Sequence, residues 1–175
     1  MTTTDAYRVM TVCTGNICRS PIAEVVLRDR FEAAGLGDRV VVDSGGTSSE
    51  ELGNPIDPRA AAVLRRAGYP VPDRTAHQVT RADVASHDLL LAMTSQHARR
   101  MRALAPDAAD AARVVMFRSF DPAAPATPAT PARESDLDVE DPWYGTETDF
   151  EATLEQVEAA ADGVVEHVRA RLPAS

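Results

Sequence analysis

Cysteine is scarce in this chain: of 175 residues only two are cysteines, Cys13 and Cys18, and both fall in one short loop. Two thiols cannot build a disulfide framework. A chain of this length suits one domain, which buries about two thirds of its unfolded surface without such staples. The pairing of the thiols in one loop reads instead as chemistry in a reducing compartment. Basic charge is also in deficit. A formal net charge of −9 leaves no broad cationic footprint for a nucleic-acid backbone, so no nucleic-acid partner is expected. Any anion site must then be electropositive locally. Apolar runs such as Leu89 to Met93 are far short of a bilayer span, and Met1 to Asp5 has no basic stretch leading into an apolar one. The expectation is a monomeric cytoplasmic protein with no membrane partner. Internal repeats are absent too.

What the chain does have is an alternation of short apolar runs with helix-period segments. The runs Tyr7 to Val12, Arg39 to Asp43, Asp88 to Met93 and Ala112 to Phe117 predict four strands. The segments between them predict βαβ units, hence an α/β fold with a central four-stranded parallel sheet flanked by helices on both faces. A first helix follows Ser20 as N-cap and Pro21 at its first position, with Ala23, Leu27, Phe31 and Ala34 along one face and Gly35 as its stop. Asp57-Pro58-Arg59 opens a second, ended by Gly68. Thr94 or Ser95 caps a third, and a last helix runs from about Asp149 to Leu172. The stretch from Asp121 to Ala132 is rich in Pro and Ala, with no core-forming residue. It reads as an extended surface loop inserted into a single domain spanning residues 1–175.

The first strand delivers Cys13-Thr14-Gly15-Asn16-Ile17-Cys18-Arg19-Ser20 at its carboxyl end, where open α/β sheets bind ligands. Backbone N–H groups from Thr14 to Arg19 can turn inward as a nest, and the following helix adds partial positive charge at the same point. Gly15 offers the freedom such curvature needs. Arg19 supplies a planar fork that grips two phosphate oxygens and tightens as charge shifts in the transition state. This field favours thiolate over thiol at Cys13, making it an in-line nucleophile. Without this context, Cys13 would read as a small buried hydrophobe and Arg19 as a cap or ion-pair partner.

At these residues the chain resembles the low-molecular-weight protein tyrosine phosphatases. The signature Val-Cys-x-Gly-Asn-x-Cys-Arg-Ser-Pro is matched at every fixed position by Val12 to Pro21. The likeness continues through Asp43 to Thr47, Gly53 to Arg59, Gln78-Val79 and Asp141 to Gly145. It implies hydrolysis of phosphotyrosine or another aryl phosphate through a phosphocysteine, on a phosphate-binding loop (P-loop) of Thr14, Gly15, Asn16, Ile17, Cys18, Arg19 and Ser20. By the same resemblance Asn16 holds the loop, Ser20 donates to the Cys13 thiolate, and Asp141 is the general acid that later acts as base for water. Read alone, Asp141 is an Asp-Pro turn starter among acidic neighbours. Cys18 either packs against the loop or traps oxidised Cys13 as a reversible disulfide. The resemblance implies no cofactor. His77, His87, His97 and His167 are scattered and lack ligand spacing with either thiol, so no metal is expected.

Trp143 and Tyr144 follow the proposed acid and form an apolar wall for a phenyl ring, or else pack as ordinary core. The opposite rim carries Glu50, in Ser49-Glu50-Glu51-Leu52, where many relatives have an aromatic residue; acidic phosphopeptides are expected to be disfavoured. Arg74 stands where some relatives have a His buttressing the loop, and Thr94 where an Asp is frequent. Related activities remain open at this stage. Protein-arginine phosphatases often carry Thr in place of Ile17, thiol-dependent arsenate reductases need more cysteines, and a phosphopeptide-binding module would need neither nucleophile nor acid.

Overall fold

In the computed structural model, residues 6–124 and 131–174 are described. The strands β1 (Tyr7–Cys13), β2 (Val40–Gly46), β3 (Leu89–Ala92) and β4 (Val114–Met116) form one sheet in the order β2-β1-β3-β4, with every pair parallel. The expected α/β architecture is the observed one. Parallel pairing requires crossovers, and these are supplied by α1 (Arg19–Ala33), α2 (Pro58–Arg66), α3 (Arg81–Ser86), α4 (Ser95–Leu104) and α5 (Ala108–Ala111). A long α6 (Glu147–Arg169) closes the chain.

Side chains alternate across the sheet, so β1 feeds two cores. Val9 and Cys13 pack with Val42, Leu91, Ile22, Leu64 and Val164 on the face covered by α1, α2 and α6. Met10 and Val12 pack with Leu90, Val84, Met101 and Met116 on the face covered by α3 and α4. β1 is thus buried on both sides and holds the loop at its end by the most interior strand.

Local chemistry explains most boundaries. Asp57 accepts from the Arg59 amide at 2.8 Å and caps α2, which stops before Gly68 at φ +88°. Thr94, not Ser95, caps α4. The last helix begins two residues earlier than the periodicity suggested because Thr146 and Asp149 form a capping box, in which Asp149 accepts from the Thr146 amide. Ser20 is a correction. α1 starts at Arg19, the residue before it makes no side-chain cap, and Ser20 is buried inside the first turn with its hydroxyl turned back toward the loop. The first half of α1 is buried all round, so its single predicted apolar face understates its contacts.

The strand β2 runs on past Asp43 through Gly45 and Gly46. A Cβ on Gly46 would lie 2.6 Å from the Thr14 carbonyl oxygen, so only glycine lets this strand approach the loop. The short α3 and α5 were not foreseen; each is one turn or so, too brief to leave a periodic pattern. Half of the predicted Pro/Ala loop at 121–132, residues 125–130, lies outside the described residues.

Candidate active site

The loop between β1 and α1 is built around Asn16, whose φ is +60°. Gly15 was expected to supply this freedom, but the left-handed residue is Asn16, one of the few side chains that tolerates it. The absence of a side chain at Gly15 serves a different purpose: a Cβ there would meet Glu51 Cγ at 3.0 Å. Asn16 is buried and fully used. Its Oδ1 accepts from the His77 amide at 2.9 Å and from Arg74 Nη2 at 2.5 Å, while Nδ2 donates to Ser20 Oγ and Ser44 Oγ, both at 2.9 Å. Arg74 Nη1 also donates to the Asn16 carbonyl at 2.8 Å, so a guanidinium takes the place of the expected buttressing imidazole.

These contacts orient Ser20. One of its lone pairs receives the Asn16 amide, and Cys13 Sγ lies 3.0 Å away, closer than the competing Gly45 carbonyl at 3.4 Å. Ser20 Oγ is thus held within hydrogen-bond reach of sulfur. Behind the loop, buried Glu24 accepts from Ser44 Oγ and from Arg28 Nη2, the latter at 2.7 Å, and faces Arg74. These partners satisfy the oxygens of a carboxylate only 4% exposed. Two strand-end amides, Thr47 and Ser48, clamp the carbonyls of Cys13 and Thr14 at 2.9 and 3.0 Å. The loop's own amides from Thr14 to Arg19 donate to no protein acceptor among the described residues.

Arg19 is 5% exposed. Its Nη1 donates to the Val139 carbonyl at 3.0 Å, its Nη2 lies 3.3 Å from Asp141 Oδ2 and 3.5 Å from Thr14 Oγ1, and its buried Nε has no partner. An orphaned donor of this kind costs on the order of 1–3 kcal/mol and fits an oxyanion. Asp141 reaches Arg19 from the far end of the chain because Val139 hangs on the Met93 carbonyl at 2.8 Å and Asp138 accepts from the Ser95 amide at 2.6 Å. The other Asp141 oxygen accepts from the Trp143 amide at 3.1 Å, which starts a tight 3-10 turn over Pro142–Tyr144.

A cleft of about 270 Å³ opens above Cys13. Its walls bring together Thr14, Gly15, Ile17, Cys18, Arg19, Glu50, Asp141, Trp143 and Tyr144, with Glu51 beside Glu50. Of the residues predicted from sequence, Asn16 and Ser20 do not line it; they brace it from behind. Tyr144 is 92% exposed and Trp143 half exposed, so neither is core. Arg59 places its guanidinium 5.3 Å from the Trp143 ring and donates to the Trp143 carbonyl at 3.0 Å. That brace was missed by sequence reading, although Asp57-Pro58-Arg59 was seen as a helix start. Burial pushes the Cys18 thiol well above the ordinary thiol range, and the nearby charges of Asp57, Cys13 and Asp141 add to it. Among the described residues no group of three His, Cys, Asp or Glu side chains converges to hold a metal.

A buried sulfur and a guanidinium with an orphaned donor thus share one cleft at the carboxyl end of a central parallel strand, an arrangement suited to cysteine-dependent phosphoryl transfer. Residues 8–174 match the family described as low molecular weight phosphotyrosine protein phosphatase. A low molecular weight protein-tyrosine-phosphatase of Streptomyces coelicolor is 46% identical over 166 residues, covering 93% of this chain and 94% of its own. Low molecular weight protein-tyrosine phosphatase A of Mycobacterium tuberculosis is 46% identical over 168 residues, with 96% and 95% covered. The crystal structure of a protein tyrosine phosphatase from Entamoeba histolytica, with Hepes in its active site, matches with a TM-score of 0.82 at 26% identity, covering 95% of this chain and 100% of that one.

The chain belongs to the low molecular weight phosphotyrosine protein phosphatase family. It is a cysteine-dependent hydrolase of phosphotyrosine, and the family works through a phosphocysteine intermediate.

Proposed function

We propose that Cys13, Arg19 and Asp141 carry the reaction in this chain. The Cys13 thiolate attacks phosphorus as the P–O bond to the tyrosyl oxygen breaks, and the Asp141 carboxyl gives its proton to the departing phenolate. Asp141, now a carboxylate, takes a proton from water as that water attacks the phosphocysteine. Phosphate leaves and the thiolate returns. Arg19 Nε and the loop amides hold the equatorial oxygens throughout. The observation that carries this reading is the orphaned Arg19 Nε, buried beside a carboxylate that only a loop far downstream in sequence could supply.

Trp143 and Tyr144 stack on the substrate ring, and Ile17 keeps the floor apolar, which favours an aryl phosphate over an arginine phosphate. Cys18 acts as a resolving thiol: once peroxide has oxidised Cys13 to the sulfenic acid, Cys18 sulfur attacks it and water leaves. The enzyme works as a monomer in the cytoplasm on phosphotyrosine proteins, without metal, nucleic acid or membrane. In support, the chain is acidic, and among the described residues no helix is long and apolar enough to cross a membrane.

Acid-quenched turnover of an aryl phosphate, followed by peptide mass spectrometry, tests the assignment. A phosphate adduct is expected on Cys13 and is expected to vanish in Cys13→Ser. An adduct on another residue, or turnover retained by the serine variant, overturns it.

A further inference from the structure

His97 is 2% exposed, lies against the catalytic loop, and has no task in the mechanism above. It is the third residue of α4. Its Nδ1 is 3.1 Å from the Thr94 amide nitrogen and 3.0 Å from Thr94 Oγ1, and its Nε2 is 2.8 Å from Thr14 Oγ1. A backbone N–H can only donate, so Nδ1 must accept and carries no proton. The ring's single hydrogen is then on Nε2, where it is donated to Thr14 Oγ1. The surroundings keep the ring neutral: burial, helped by the charges of Arg19 and Arg100, pushes its pKa down to about 3.

Thr14 Oγ1 is also approached by Arg19 Nη2, at 3.5 Å. A hydroxyl oxygen has two lone pairs, and here donors face both. Its own hydrogen must point away from His97 and from Arg19. Thr14 is an exposed residue lining the cleft that contains Cys13 and Arg19, so that direction leads toward the site of the phosphoryl group.

We propose that His97 is a positioning residue for phosphoryl transfer, which by donating to Thr14 Oγ1 turns the Thr14 hydroxyl into an extra donor aimed at a phosphoryl oxygen. The proposal rests on the reading of the cleft as the phosphatase site. It gives α4, on the far face of the sheet from α1, a direct hold on the chemistry. A neutral imidazole suits this work because its hydrogen stays on one nitrogen and its acceptor is occupied by the helix cap.

Two substitutions separate this role from mere support of the fold. In His97→Asn the amide oxygen can replace Nδ1 at the Thr94 cap, but the side chain is too short to reach Thr14. In His97→Gln the amide nitrogen can replace Nε2 at Thr14, while the cap acceptor is lost. The expected result is a thermal midpoint near wild type and a roughly tenfold lower kcat/KM for His97→Asn. For His97→Gln a lowered midpoint is expected, with kcat/KM largely retained. Thr14→Ala should cost a similar factor, and His97→Asn added to it should cost nothing more. Wild-type kcat/KM in His97→Asn, or losses that multiply in the double variant, overturns the proposal. If either variant fails to fold, ring nitrogen chemical shifts of the wild-type enzyme bound to inorganic phosphate decide: a neutral Nε2–H tautomer is expected, and an Nδ1–H or doubly protonated ring overturns it. A wild-type enzyme that releases no phosphate from aryl substrates would instead sink the phosphatase reading itself.

Discussion

Asp141 has two masters, since one oxygen caps the turn that holds Trp143 and the other faces Arg19. Asp141→Asn keeps the cap acceptor and removes the transferable proton. The expected loss in kcat is roughly 10²-fold or more for poor leaving groups and small for highly acidic phenols. Stopped-flow release across a series of aryl phosphates measures this, and a uniform loss argues against the general acid. At this scale the sequence was most readable where chemistry demands a fixed spacing, as with Cys13 and Arg19. It was least readable for His97, because a buried neutral histidine and an exposed solvated one look alike in a string of letters. Asn16 shows the same limit: glycine is the usual bearer of a left-handed backbone, and only the network from Arg74, His77 and Ser44 reveals that asparagine bears it here.

Among elements, the carboxyl ends of β1 and β2 decide the shape of the loop, because Gly46 lies against Thr14 and Asn16. Gly46→Ala is expected to push the loop away and to lower kcat/KM by about 10²-fold while far-ultraviolet circular dichroism stays unchanged; an active variant would show that the loop can yield. The segment after β2 carries Glu50 and Glu51 into the lining of the cleft that Trp143 and Tyr144 also line. A phosphotyrosine peptide with acidic flanks must bring like charge there. Glu50→Gln with Glu51→Gln is expected to raise kcat/KM for acidic-flanked peptides about fivefold at low salt, with less gain at high salt, and to leave small aryl phosphates unaffected. Steady-state assays on paired acidic and neutral peptides check it. Strands and long helices were legible because their periodicity extends over many residues. The start of α1 was not, because the loop replaces the usual cap and Ser20 turns to sulfur instead.

For the whole molecule, stability should depend on pH through His87, which is buried between Asp43 and the Asp83 carbonyl. Burial alone would lower its pKa, but the hydrogen bonds to the Asp43 carboxylate and the Asp83 carbonyl, with the charge of Asp43, outweigh that and raise it above the ordinary histidine value. A raised folded-state value means a stabilising contribution fully present below about pH 6.5 and lost as pH rises through the folded value. The thermal midpoint is therefore expected to fall between about pH 6 and pH 8 in the wild type and to be flatter there in His87→Gln, as differential scanning fluorimetry would record; parallel slopes would assign the change elsewhere.

β1 has a neighbour on each edge and a core against each face, and Cys13 is its last residue. β1 is therefore expected to open last in hydrogen exchange, and it ends on the proposed nucleophile. Local breathing can loosen the outer walls and trade one peptide for another. It cannot slacken the seat of the chemistry without melting the whole domain, so this enzyme has room to change its taste in partners and almost none to change its reaction.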